Sequence, residues 1–396
     1  MTATSEDSPK GRDRVRLLAT LTGLHTANDF FALLLPPLLP ALRSALDLSY
    51  GQLGFVTFLM TAVSAVFQPT LGYVADRRGW RRWILALGFL GFAFGTVALS
   101  MSTSYLALIG AAIILGLAGS TYHPQSATYL VHYFRSNRGF AQGIHGLGNG
   151  LGFLLAPLVI AIFVQYYDWR TVVAFLAVPA LSFAIVVPFV IREPAIRGGR
   201  GLLAGITRPL ILLTIVNGLA LAASVAFQTW LPSYYASLGY SLSEAGFLTA
   251  IMSISGMVAQ PLGGALSDTF GRRSIVLGAL VGISVFQVVF ILNTTGVGMV
   301  VATLLVGFCA SLVPPVAMVY ASELAAGERT GTAVGVVWGM GTLISSLSPL
   351  VSGRMIDMFG FVPMYGGLAV VALVAAAVAT RLPHAGNART QLTPAR

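Results

Sequence analysis

Gly72-Tyr73-Val74-Ala75-Asp76-Arg77-Arg78-Gly79-Trp80-Arg81-Arg82 decides the fold, because it occurs twice. Its echo, 192 residues further on, is Gly264-Ala265-Leu266-Ser267-Asp268-Thr269-Phe270-Gly271-Arg272-Arg273. In that ungapped register Gly72, Asp76, Gly79 and Arg81 meet Gly264, Asp268, Gly271 and Arg273. The same register pairs Leu39-Pro40 with Leu231-Pro232, Gln68-Pro69 with Gln260-Pro261, and Pro157-Leu158 with Pro349-Leu350. One register that holds from Leu39 to Leu158 makes the chain two copies of one unit.

Around the repeated loop, each copy contains six apolar runs long enough to span about 30 Å of hydrocarbon as helices. They lie near 17–42, 52–75, 83–102, 105–131, 139–165, 171–191, 210–237, 244–266, 274–293, 297–321, 331–355 and 361–381. Composition agrees. Of 396 residues 56% are hydrophobic and 9% charged, against about 25% charged in an average soluble domain. So few charges cannot solvate a soluble surface, which argues against soluble enzymes and soluble binding modules. A bilayer accepts apolar surface on the outside of a fold, provided that the backbone is satisfied within helices. The expected fold is an all-α membrane protein of twelve transmembrane helices in two six-helix pseudo-symmetric halves. Its parts are a tail 1–16, a bundle 17–191, a linker 192–208 rich in arginine and glycine, a second bundle 209–382, and a tail 383–396. No signal peptide is expected in the polar stretch 1–16.

The formal charge of +10 could suggest nucleic acid, but the arginines sit in short loops between apolar runs, where membrane topology explains them. Lys10, Arg12, Arg14, Arg16, Arg77, Arg78, Arg81, Arg82, Arg135, Arg138, Arg192, Arg197, Arg200, Arg208, Arg272, Arg273, Arg329, Arg381, Arg389 and Arg396 share one side. Arg43, Arg170 and Arg354 remain on the other. The positive-inside rule therefore predicts both termini in the cytoplasm of a cell whose inner, or plasma, membrane holds the protein. The only cysteine, Cys309, lies within an apolar run, so no disulfide framework or cysteine metal site is expected. No GxxxxGK[ST], HExxH or nucleophile elbow occurs. No catalytic residue, metal or cofactor is expected, and the partners are a small molecule, protons and the bilayer, for a monomer.

Ionisable groups at membrane depth are costly and mark function by default. Twelve of the thirteen acids fall in tails, linker or span ends. Asp29 alone lies halfway along a span, the first. His25, four residues earlier, shares its helix face, and Asn28 adjoins it. The fourth span carries His123, Pro124 and Gln125, the fifth His145 and Asn149, again four apart, and the seventh Asn217 and Gln228. Asn217 is the repeat partner of His25. Burial penalises an isolated charge on a carboxylate or imidazole, and an opposite charge offsets that penalty. Such a pair could load and unload a proton. Alternatively, Asp29 could hydrogen-bond neighbouring helices and serve structure alone.

The doubled loop resembles the signature between helices 2 and 3 of the major facilitator superfamily and its echo in the second half. Span count, halves and orientation extend that resemblance over essentially the whole chain. It implies a transporter that rocks one half against the other, with spans 1, 4, 7 and 10 lining a cavity. It further implies that Gly72 and Gly264 allow close helix packing, and that Asp76 and Asp268 cap a neighbouring helix end. Pairing of these acids with Arg77, Arg81, Arg272 and Arg273 would latch a cytoplasmic gate. The other reading of these arginines is headgroup anchoring. The fifth span, Gly143-Ile144-His145-Gly146-Leu147-Gly148-Asn149-Gly150-Leu151-Gly152 followed by Ala156-Pro157, resembles the glycine-rich motif of the superfamily's drug antiporters, and equally suits tight packing.

His25-Thr26-Ala27-Asn28-Asp29, Leu35-Pro36-Pro37-Leu38-Leu39-Pro40 and Thr121-Tyr122-His123-Pro124-Gln125 together look like the fosmidomycin-resistance branch, whose members are efflux proteins. Gln125 stands where that branch has an acid. The expected function is proton-coupled efflux of a small organic compound or drug by antiport. The alternatives are a proton symporter importing an organic acid or other metabolite, and a non-transporting membrane sensor, which would need a signalling tail or loop.

Overall fold

The computed structural model describes residues 11–134, 138–193, 207–293, 295–325 and 330–383. They form fifteen helices, with no strand among the described residues. These are α1 (Arg12–Ala32), α2 (Leu35–Leu46), α3 (Tyr50–Arg78), α4 (Arg81–Ser100), α5 (Tyr105–Gly119), α6 (Tyr122–Tyr133), α7 (Arg138–Phe163) and α8 (Trp169–Phe175). There follow α9 (Ala177–Val190), α10 (Arg208–Ser237), α11 (Leu242–Phe270), α12 (Arg272–Leu292), α13 (Gly296–Leu324), α14 (Thr330–Phe359) and α15 (Phe361–Ala379).

They make twelve segments long and apolar enough to cross a membrane, each overlapping one of the twelve expected runs. Fifteen helices fill twelve spans because the first, fourth and sixth spans break, at Leu33–Leu34, Ser120–Thr121 and Leu176. Each break is followed by proline. Pro36 and Pro37, Pro124, and Pro179 fall in the first turn of α2, α6 and α9. There the missing proline N–H is not required, and the ring crowds the carbonyl four residues earlier, at or next to the break; Pro69 and Pro157 lie inside unbroken helices, so a proline favours a break without compelling one. The breaks in the first and fourth spans lie close in sequence to Asp29 and His123.

By packing the chain divides into two units, Met1–Leu46 with Leu59–Arg200, and Asp47–Phe58 with Gly201–Arg396. Within the first, α1 packs on α7, and α4 on α5 and α9. Within the second, the counterparts 192 residues on repeat those pairings: α10 packs on α14, and α12 on α13 and α15. The sequence repeat is thus a repeat of contacts. The core of the second unit is built from small and branched side chains, Leu213, Val216, Ala220, Ala317, Ala372 and Ala376 among them. Such residues let helices close when lipid leaves no hydrophobic driving force between them. Large apolar side chains such as Phe189, Val297 and Leu106 lie outside, each more than three-quarters exposed, as a lipid-facing surface requires.

The opening turn of α3 belongs with the second unit. Asp357, near the end of α14, accepts the backbone N–H groups of Tyr50 at 2.9 Å and Gly51 at 2.7 Å. A carboxylate there satisfies two of the four free N–H groups of a helix start and complements its dipole.

Candidate functional site

Glycines bring the site together. A Cβ on Gly148 would lie 2.5 Å from Thr22 O and 2.9 Å from His25 Cβ, and one on Gly152 2.6 Å from Thr26 O and 2.8 Å from Asp29 Cβ. Spaced four apart on α7, these two glycines receive the backbone of α1, and only hydrogen fits there. The seam sets His145 and Asn149 of α7 against His25 and Asp29 of α1. At Gly72 on α3 a Cβ would come 3.2 Å from Pro124 Cβ, so α3 closes on the first turn of α6, which carries His123.

Asp29 is the hub and is 2% exposed. Its Oδ1 accepts the Asn28 amide at 2.8 Å, and its Oδ2 the Asn149 amide at 2.6 Å. His25 Nε2 lies 3.2 Å from Oδ2, and His123 Nε2 3.7 Å from Oδ1. Three imidazoles and a phenol crowd the same place. His25 stacks on His145 with centroids 4.2 Å apart and on Tyr122 at 5.2 Å, and meets His123 edge-on at 5.4 Å. The His123 side chain keeps 29% of its exposure, so it is the open side of an otherwise enclosed cluster.

Donor and acceptor rules assign the protons. His25 Nδ1 lies 2.8 Å from the His145 carbonyl oxygen. A carbonyl only accepts, so Nδ1 carries hydrogen. The other ring nitrogen faces Asp29 Oδ2, and two lone pairs cannot bond. One proton therefore lies between His25 Nε2 and Asp29 Oδ2, either as an imidazolium–carboxylate pair or as a neutral acid on a neutral imidazole. Either arrangement is neutral overall, which suits burial. Tyr122 donates its hydroxyl to Leu21 O at 2.5 Å. Its oxygen is then the acceptor for His145 Nε2 at 3.0 Å, which fixes His145 as the Nε2–H tautomer. His145 Nδ1 is buried with no hydrogen-bond partner. Removing the shared proton would leave a buried net negative charge with His25 Nε2 and Asp29 Oδ2 facing each other as acceptors, an arrangement stable only if the surroundings change.

The second unit holds the same frame without ionisable groups. Asn217, 192 residues after His25, donates its Nδ2 to Val337 O at 3.2 Å. Val337 is itself 192 residues after His145, so the side-chain-to-carbonyl bond recurs at both ends of the repeat. Leu221 replaces Asp29 and Gly341 replaces Asn149. The Asn217 side-chain oxygen is buried without a partner. Gln228 is buried farther along α10. Gln125 is also buried; its amide reaches toward Leu71 O at 3.5 Å, so it does not take part in the cluster around Asp29.

The repeated loops form a second pair of charged clusters. Arg81 is fully buried and binds Asp76 at 2.6 Å and Glu193 at 3.1 Å. Arg272 pairs with Asp268 and, at 3.0 Å, with Glu323. Two expectations for these loops need correction. The helix end near Asp76 is capped by Glu193, which accepts the backbone N–H of Arg81 at 3.2 Å and of Arg82 at 3.1 Å, while Asp76 spends its oxygen on the Arg81 guanidinium. Gly264 does not serve close packing, since a Cβ there would meet nothing within 4 Å. Of the other expected arginines, Arg77 lies over the Tyr73 ring and Arg273 donates to Thr380 O at 2.6 Å.

Sequence reasoning missed Tyr122, Glu193 and Glu323 as members of these clusters. Tyr122 adjoins His123 in the quoted motif, and its polar end only matters once α6 faces α1 and α7. Glu193 carries a fainter signal: it is the one acid in the arginine-rich stretch 192–208.

A model of the Major Facilitator Superfamily matches residues 21–241 and 210–395. The fosmidomycin resistance protein of Escherichia coli is 25% identical over 388 residues, covering 91% of this chain and 93% of that protein. The probable nitrate/nitrite transporter NarK2 of Mycobacterium tuberculosis is 26% identical over 359 residues, covering 87% and 90%. Among solved structures, a bacterial homologue of the human lysosomal transporter Spinster superposes with a TM-score of 0.82 at 16% identity, covering 98% of this chain and all of the other.

Proposed function

Taking as premise that the chain belongs to the major facilitator superfamily and is a multi-pass membrane transporter, we propose that it couples proton movement to transport of a small organic compound by alternating access, in the direction of efflux. The observation that carries proton coupling is the buried 3.2 Å contact between His25 Nε2 and Asp29 Oδ2, with His25 Nδ1 and both Asp29 oxygens held by further hydrogen bonds, which donor and acceptor rules read as one shared proton. Loaded, the cluster is neutral and suited to burial; unloaded, it carries a charge that favours exposure to water. That difference ties the protonation state to the state of access. His123, partly open and beside Asp29, is the entry and exit for the proton. Likeness to a protein named for resistance to fosmidomycin favours the direction of efflux.

The arginine-rich loops then lie at the cytoplasmic face with both termini, in a bacterial inner membrane. There Asp76, Arg81 and Glu193 hold the end of α4 and latch that face. A cysteine in the inner half of the fourth span should label faster from the cytoplasm in Asp76→Ala; equal labelling assigns the loop to anchoring.

A second reading, proton symport of a small anion, is favoured by the likeness to a nitrate/nitrite transporter and by the imidazole of His123. Purified protein in proteoliposomes, screened over organic compounds and small anions, separates the readings. Efflux predicts that a preformed inward proton gradient drives substrate against the proton flow. Symport predicts movement with the protons. If no compound moves protons, the coupling proposal fails.

A further inference from the structure

The proton site has the donor set and spacing of a metal site. His25 Nε2, a carboxylate oxygen of Asp29 and His123 Nε2 all lie within 4.8 Å of one another. His25 Nε2 lies 3.2 Å from Asp29 Oδ2, and His123 Nε2 lies 3.7 Å from the other oxygen, Oδ1. An ion bonded at about 2.0–2.2 Å in tetrahedral geometry holds its ligand atoms about 3.3–3.6 Å apart. Each separation is within a few tenths of an ångström of that range, and each carboxylate oxygen faces one imidazole, so an ion between the rings would be held by both oxygens or by one brought toward both imidazoles by a small turn of the carboxylate.

The surroundings match as well. Metal-bound histidines donate their second nitrogen to a carbonyl or carboxylate, and ligating carboxylates are themselves hydrogen-bonded. His25 Nδ1 donates to the His145 carbonyl, which leaves Nε2 as the ligand atom. Asn28 and Asn149 hold one oxygen of Asp29 each. The three ligands come from two helices already fixed against one another, α1 directly and α6 through Tyr122, whose hydroxyl bonds Leu21 O of α1. A site of two imidazoles and one carboxylate, without sulfur, selects zinc, cobalt or iron(II) over the oxygen-preferring calcium and magnesium.

We propose that His25, Asp29 and His123 bind one divalent transition-metal ion, zinc being the best match, with water or a substrate group in the fourth position on the His123 side. The ion enters where the shared proton lies, bonding His25 Nε2 and Asp29, and that proton passes to solvent. The proposal concerns binding and stands whether or not the same groups couple transport.

The test uses the full chain in detergent, with no gradient and no substrate. Cobalt(II) is added and the visible absorption recorded, and zinc binding is measured by calorimetry. The expected result is one cobalt per chain with the intense bands of a tetrahedral ion, displaced by zinc. Zinc affinity should fall at least about tenfold in His123→Ala and in Asp29→Asn, and about 10–100-fold in Asn149→Ala, which removes a supporting hydrogen bond. Two histidines not proposed as ligands, His132 near the end of α6 and His384 in the stretch 383–396, are controls, and His132→Ala and His384→Ala should leave it unchanged. Thermal midpoints without metal identify any variant that fails to fold. A parent protein that binds no cobalt, or shows only weak octahedral bands, overturns the proposal, as does unchanged zinc affinity in folded His123→Ala. Loss of transport coupling in Asp29→Asn without any effect on zinc would uphold the transport reading and overturn this one.

Discussion

Gly152→Ala puts a methyl group into the seam between α1 and α7. Its carbon would stand 2.6 Å from Thr26 O, 2.8 Å from Asp29 Cβ and 2.9 Å from Phe30 N. Carbon contacts settle at about 3.5–4.0 Å, so α1 must withdraw by roughly 0.7–1 Å. Overpacking of this kind costs about 1–3 kcal/mol. The same movement stretches the bond from Asn149 to Asp29, now 2.6 Å, to the limit of a hydrogen bond. A buried carboxylate oxygen that loses its donor costs about 1–3 kcal/mol more. The expected loss is therefore about 2–6 kcal/mol together with impaired coupling. Thermal unfolding in detergent at a fixed scan rate and uphill transport in proteoliposomes read the two effects. Gly143→Ala on the same helix is the control, because a Cβ there meets nothing within 4 Å. If Gly152→Ala matches Gly143→Ala in midpoint and in transport, the glycine seam does not hold the site.

Glu193→Ala removes one partner of the fully buried Arg81 and the cap of α4, and should cost about 2 kcal/mol in thermal unfolding. Asp268→Ala, whose side chain is 69% exposed, should cost under about 1 kcal/mol; equal losses would contradict the difference in burial. Tyr122→Phe leaves Leu21 O without its donor and His145 Nε2 without its acceptor. Stability in thermal unfolding should fall by about 1–3 kcal/mol and the pH profile of transport should move, while an unmoved profile would make Tyr122 structural only. Asn217→Ala breaks the bond to Val337 O in the second unit, at about 1 kcal/mol, with coupling retained; loss of coupling would show that the second unit shares the proton chemistry.

The sequence carries the fold because two strong signals coincide there. Apolar runs of bilayer length and a 192-residue repeat depend only on residue type and order, and the repeat reappears as paired contacts and as the matched bonds of His25 and Asn217. Pro36, Pro124 and Pro179 follow the three breaks, but Pro69 and Pro157 lie in unbroken helices, so neither hydropathy nor proline position states which spans break. The partnership of His25 with Asp29 follows from a spacing of four on one helix. The contributions of Asn149, His123 and Tyr122 depend on which faces α6 and α7 turn toward α1, and no local pattern states that. Glu193 was hidden for a different reason. Its role comes from the return of the chain to the start of α4 after more than a hundred residues, so its neighbours in sequence say little about its partners.

The central claim is that Asp29 and His25 share the proton that drives transport. Asp29→Asn keeps the shape of the side chain and removes its proton chemistry. The measurement is transport of an identified substrate by this variant, in proteoliposomes of confirmed insertion and folding, with and without a proton gradient. The account predicts that gradient-driven accumulation is abolished while substrate counterflow without a gradient persists. Gradient-driven transport by Asp29→Asn at the parent level would contradict it.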